Sequence, residues 1–326
     1  MFDLISLGDG AVDHFFKISD AHVEEEKSGD ELCLTLGTKL PVETYQQILG
    51  GNNANNAVGA TRLGLKTAIY LNIGEDLAGQ FTLSKLKEEG VDSRYVVKNK
   101  GLDSNVSALI SFKGERTILT YHQDFKYELP DLDKARWVYL SSMGKSAQNS
   151  HFMGQIENYL ERTSGLLFYN PGTMELSRGL TKFPKLLSLT KVLILNLQEA
   201  ELVLNIKPEE KKDIKHILKS LVNLGPRMAV VTDGVEGSYG YDGEDYWKLG
   251  IFPAKLIDMT GAGDSYATGL LAGIFYNNNL SEAMRWGAAN GASVVEKIGP
   301  QAGLLSYQQI QEKLKEHSKI TAQKLS

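Results

Sequence analysis

The chain has 326 residues, 42% of them apolar and 23% charged, and a net charge of −5. That balance is the composition of an ordinary globular protein and lacks the basic excess of a nucleic-acid binder. A single cysteine, Cys33, excludes an intrachain disulfide and a cysteine zinc cluster; the expectation is a reduced, cytoplasmic setting with no membrane and no nucleic acid as partner.

Phe2–Leu7 reads as a buried strand, Asn53–Leu63 as a helix and Thr67–Ile73 as a second strand. Leu77–Glu89 is amphipathic, with Phe81 and Leu86 on one side and lysines on the other. Trp137–Leu140, Leu166–Tyr169, Val192–Leu195 and Met228–Thr232 are four more short apolar runs, separated by helical patterns at 151–162, 198–204 and 208–223. This rhythm predicts an α/β fold: a central, mostly parallel sheet with helices on both faces. Residues 14–49 and 94–122 break the rhythm with short alternating runs, the second pair hinged at Lys113-Gly114-Glu115. Both are expected to add strands to a small β-sheet lid on one domain spanning 1–326.

Two glycine-rich segments carry chemistry. In Asp258-Met-Thr-Gly-Ala-Gly-Asp264 a strand end leads through Gly261, Ala262 and Gly263 into a helix on which Tyr266, Leu270 and Ile274 recur. A helix start of this kind leaves backbone N–H groups free for an anion. Asp264 in that first turn is either a charge complementing the helix dipole or a base beside an anion hole; the flanking glycines favour the base. Gly50-Gly-Asn-Asn-Ala-Asn-Asn56 offers amide donors and acceptors suited to hydroxyl-rich ligands, though alone it also reads as a capped helix. Two other phosphate motifs fail. Gly144-Lys145-Ser146 has Tyr139 where a P-loop needs glycine, and Gly8-Asp9-Gly10 is followed by Asp13 where a dinucleotide fingerprint needs glycine.

Together, in this order and separation, the two segments resemble the two signatures of the ribokinase-like (PfkB) carbohydrate kinases. The resemblance implies a ribokinase-like fold and ATP-dependent phosphorylation of a hydroxymethyl group on a small sugar. It implies Asp264 as the catalytic base, with an anion hole of Gly261, Ala262 and Gly263. Asp13, Gly51, Asn52 and Asn55 would bind substrate, and Asn196, Thr232, Gly234, Gly237 and Asn290 the nucleotide. Glu199 would act on Mg²⁺ through water, and Asp258 and Thr260 would hold a monovalent cation such as K⁺, completed by the Gly299–Gly303 loop. Asn52 stands where ribokinases carry lysine, which weakens ribose as the substrate. A nucleoside kinase, with Phe15 and Phe16 walling a base, and a non-catalytic sugar or nucleotide sensor are the alternatives. The oligomeric state stays open, with the exposed lid sheet as the surface through which a homodimer could pair. Asp9 reads equally as a structural or a substrate carboxylate, while Arg116 and His122 on the second lid hairpin could touch substrate but read better as solvated strand-face residues.

Overall fold

The computed structural model describes residues 1–26, 29–113, 115–207 and 213–325. Its elements begin with β1 (Phe2–Leu7), β2 (Ala11–Ile18), β3 (His22–Glu26), β4 (Gly29–Cys33), β5 (Val42–Gly50) and α1 (Asn52–Arg62). Then come β6 (Thr67–Gly74), α2 (Leu77–Glu88), β7 (Asp92–Asn99), β8 (Val106–Phe112), β9 (Glu115–Tyr121) and β10 (Ala135–Leu140). The middle of the chain supplies α3 (Ser150–Thr163), β11 (Leu166–Tyr169), α4 (Thr173–Arg178), α5 (Pro184–Leu189), β12 (Thr190–Asn196), α6 (Leu197–Val203) and α7 (Ile214–Asn223). The last part holds β13 (Met228–Thr232), β14 (Ser238–Tyr241), β15 (Tyr246–Leu249), α8 (Ala262–Phe275), α9 (Leu280–Val294), α10 (Tyr307–Glu316) and β16 (Gln323–Lys324). Of the helix expected over 208–223, residues 208–212 lie outside the described residues, as does Gly114 of the expected hairpin turn.

One ten-stranded sheet runs in the order β16-β15-β14-β13-β12-β11-β10-β1-β6-β7. From β13 to β7 every pairing is parallel, and β14, β15 and β16 are added antiparallel. The apolar runs are continuous because both faces are covered. On β10, Val138 and Leu140 pack among Phe152, Ile156 and Leu160 of α3, while Trp137 and Tyr139 turn to the layer holding Leu270 and Leu271 of α8 and Trp286 of α9. This two-residue alternation splits a single apolar strand between two cores.

The small sheet has the order β5-β2-β8-β9. Its boundaries differ from the expected 14–49 and 94–122. It takes up the chain at Ala11, and residues 92–99 belong to the main sheet as its edge strand β7. An edge strand is covered on one face and alternates as a lid strand does, so the pattern alone does not separate them. Between β2 and β5, β3 and β4 pair with each other.

Candidate active site

Helix α8 starts at a glycine for a backbone reason. Gly261, the residue before its first turn, has φ +77°, and a Cβ there would lie 2.5 Å from Cβ of Pro300. Both the conformation and the space demand glycine. The expected anion hole is corrected in one member. The Ala262 N–H donates to the Met259 carbonyl at 3.2 Å, so that donor is spent. The N–H groups of Gly263 and Asp264 have no acceptor among the described residues and stand free at the positive end of the helix. Gly263 has open space where a side chain would be.

The Asp264 carboxylate lies beside these donors. Desolvation pushes its pKa up to about 6, partly opposed by a hydrogen bond from Asn55 and reinforced by the nearby charges of Glu199 and Asp13. Asn55, expected at the substrate, is held by protein partners. It is 3% exposed; its Nδ2 donates to Asp264 Oδ2 at 2.8 Å and its Oδ1 accepts from Gln301 Nε2 at 3.0 Å. From its place in α1 it holds Asp264. Sequence reading missed Gln301, because its partner lies 246 residues away in the chain.

A crevice of about 240 Å³ opens at the C-terminal ends of β11, β12 and β13 and brings together Asn52, Asn196, Glu199, Thr232, Gly263 and Asp264. This is where open α/β sheets bind ligands. Asn196 and Glu199 form a reciprocal cap at the start of α6: Glu199 N–H donates to Asn196 Oδ1, and Asn196 N–H donates to Glu199 Oε2, each at 2.8 Å. Burial raises the Glu199 pKa, against the lowering by the Asn196 N–H. Ser142, Asn170, Gly172 and Thr173 also line the crevice. The Asn170-Pro171-Gly172 turn at a strand end was the available signal, and it reads equally as a simple turn.

Gly234, Gly237 and Asn290, expected at the nucleotide, lie outside the crevice lining. Gly234 and Gly237 shape the loop after Thr232, with φ of +50° and +92°, but neither lines the crevice. Asn290 is fully buried: its Nδ2 donates to the Ser265 carbonyl at 2.7 Å and its Oδ1 accepts from Leu305 N–H at 3.0 Å. It ties α9 to α8.

The register of the small sheet fixes its inner face. Asp13 pairs with Ile48 and Ser107. Ser107 pairs with Thr120, and Ser111 with Arg116. Paired residues share a face, so Asp13, Ser107, Arg116 and Ile48 all lie on one side. Ile48 locates that side against the main body, because a Cβ on Gly299 would lie 2.7 Å from its Cδ1. Burial lifts the Asp13 pKa to about 6, against a hydrogen bond with Ser107. A Cβ on Gly50 would lie within contact distance of the Asp13 carboxylate, and one on Gly51 would lie 2.7 Å from the Asp9 carbonyl. His14 points to the outer face, where its Nδ1 lies 3.0 Å from Tyr45 Oη. His122 is exposed.

Asp9 is buried; its Oδ2 accepts from Tyr127 Oη and the Gly144 N–H, each at 2.7 Å, and burial lifts its pKa to about 6. Among the described residues its Oδ1 has no hydrogen-bond partner. It anchors the Gly144 turn from beneath.

Asp258 and Thr260 do not fit a monovalent cation as they stand. Asp258 Oδ1 accepts from Thr260 N–H at 2.9 Å, Thr260 Oγ1 at 2.7 Å and Arg116 Nη1 at 3.3 Å, while Oδ2 accepts from Gly299 N–H at 2.8 Å. The carboxylate already holds a cationic partner in Arg116, which lies on an exposed strand as expected but is ion-paired there.

A model of the pfkB family carbohydrate kinases matches residues 25–306. An uncharacterized sugar kinase of Archaeoglobus fulgidus is 27% identical over 257 residues, 76% of this chain and 98% of that protein. A 5-dehydro-2-deoxygluconokinase of Geobacillus kaustophilus is 25% identical over 308 residues, 88% of this chain and 92% of that protein. In fold the chain is similar to Arabidopsis thaliana ribokinase complexed with ribose and ATP, with a TM-score of 0.79 at 20% identity, covering 96% of this chain and 99% of that one. A nucleoside kinase of Methanocaldococcus jannaschii gives 0.77 at 22%, covering 97% and 99%. With the family's match running over most of its length, the chain belongs to the pfkB family carbohydrate kinases and is an ATP-dependent sugar kinase.

Proposed function

We propose that this chain moves the γ-phosphoryl group of ATP onto a hydroxymethyl group of a small sugar, with Asp264 as general base. One observation carries the reading: a desolvated carboxylate lies beside the free N–H groups of Gly263 and Asp264, on the wall of a crevice shared with Asn196 and Glu199. The substrate hydroxyl gives its proton to Asp264 as its oxygen attacks the γ-phosphorus in line. The new O–P bond forms as the bond to the bridging oxygen breaks, and ADP leaves. The two amides take up charge on the transferring group, and positioning supplies much of the rate.

Asp13, Gly51 and Asn52 bind the sugar hydroxyls in this reading, and Thr232 borders the nucleotide. Magnesium, when bound, neutralises phosphate charge; the oxygen donors of Asn196 and Glu199 fit a hard cation that keeps its waters. The small sheet acts as a lid that excludes water from the reacting atoms. Its exposed outer residues Tyr45, Leu119 and Tyr121 form the face on which a second copy would dock, and the mass in solution by light scattering tests that. A nucleoside substrate is disfavoured, because Phe16 packs on Tyr45 at 5.3 Å and Phe15 is only 6% exposed. A sensor has no use for a base held beside free amides.

The test is ADP release with Mg²⁺-ATP across a panel of ribose, 5-dehydro-2-deoxygluconate, fructose 6-phosphate and adenosine. Turnover with at least one sugar is expected. Tight ATP and sugar binding with no turnover on any of them would overturn the kinase reading in favour of a sensor.

A further inference from the structure

We infer that Arg116 is a positioning residue that couples closure of the small sheet to the turn bearing Asp264, and that its guanidinium supplies the positive charge at Asp258, so that turnover needs no monovalent cation. The inference rests on the phosphoryl-transfer reading. It begins from an ion pair that sequence reading did not foresee, between strand β9 and a residue 142 positions later. Among the described residues it is the only salt bridge from a strand of the small sheet to the main body. Asp258 is 9% exposed at its side chain and Arg116 33%, so solvent screens the pair only in part.

Asp258 is a junction rather than an isolated partner. The same carboxylate holds the N–H and hydroxyl of Thr260, just before Gly261, and the N–H of Gly299. Past Gly299, Pro300 packs on Gly261 so closely that a Cβ there would lie 2.5 Å away, and Gln301 donates to Asn55, which donates to Asp264. A second contact from the same face of the small sheet, Ile48 against Gly299, reaches the same loop. A path of direct contacts therefore runs from the small sheet through Asp258 and the 299–301 loop to both the anion-binding turn and the base. Without Arg116 the Asp258 carboxylate would keep its backbone donors but lose its cationic partner, and the small sheet would lose its polar anchor. Both losses act on placement, and a small misplacement of reacting groups costs rate steeply.

The experiment uses the full chain and the sugar identified in the panel. Arg116→Ala is expected to lower kcat/KM for the sugar by roughly 10- to 100-fold, with the dissociation constant for ATP within about threefold of wild type and an unchanged thermal midpoint. Arg116→Lys is expected to recover part of the loss. Wild-type turnover is expected to be the same, within about twofold, whether the only monovalent cation is potassium or tetramethylammonium. An Arg116→Ala enzyme with wild-type kcat/KM would overturn the coupling. A large potassium activation of the wild type would overturn the charge assignment. Absence of turnover in the wild type on every sugar would instead strike at the kinase reading itself, so the failures are distinguishable.

Discussion

Asp264 is a carboxylate that its surroundings make reluctant to ionise, and two consequences follow with opposite signs. As a base it must be deprotonated, so kcat/KM should rise with pH and level off above its pKa of about 6. A pH profile on the best sugar, read at saturating ATP, should show that acid limb; a profile flat down to pH 4.5 would remove Asp264 from the rate-limiting chemistry. Stability runs the other way. A carboxyl whose folded pKa lies above its ordinary 3.8 binds its proton more tightly when folded, so it costs stability as pH rises from about 4 through 6. Asp264→Asn removes that cost, and the Asn side chain can still accept from Asn55. We expect the variant to be more stable than wild type by on the order of 2 kcal/mol at pH 8 and indistinguishable at pH 4, as read by denaturant unfolding. Asp9 and Asp13, both lifted to about 6, and Glu175, lifted to about 7, act in the same sense. At this scale the sequence made Asp264 legible through its neighbours Gly261 and Gly263. It could not show that the Ala262 N–H is already spent, because that depends on the turn made by Met259.

Helix α8 and the strands feeding the crevice were readable because their signals are local. Phe2–Leu7, Leu166–Tyr169 and Met228–Thr232 are continuous apolar runs covered on both faces, and their limits coincide with the expected ones. β7 was assigned to the lid instead, since an edge strand with half-exposed residues carries the alternation of a lid strand. The start of α8 makes a sharp prediction. Gly261→Ala forces a side chain into φ +77° and against Pro300, which should cost roughly 1–3 kcal/mol of stability and lower kcat more than it raises KM. Thermal unfolding and steady-state kinetics on one preparation check both. A fully active, equally stable Gly261→Ala enzyme would mean that the turn does not need its present shape.

For the whole molecule, the contacts that assemble the site are long in sequence: Asn55 with Asp264 across 209 residues, Asn55 with Gln301 across 246, and Arg116 with Asp258 across 142. None leaves a periodicity or spacing in the chain, and so the glycine turns were found while the residues bracing them were not. The family resemblance supplied the order of the landmarks. It also placed Asn290 against a nucleotide and Asn55 against a sugar, where the structure uses their amides to join helices and to hold a carboxylate. The ten-stranded sheet sets the crevice where its parallel strands end.

The central claim is that the carboxylate at 264, set beside two unpaired amides, takes the proton of the attacking hydroxyl. Its most direct test is turnover by Asp264→Asn, with the ATP dissociation constant measured by calorimetry on the same sample. The account predicts turnover reduced by about 10²–10⁴-fold and ATP binding essentially unchanged; near-native turnover would contradict it.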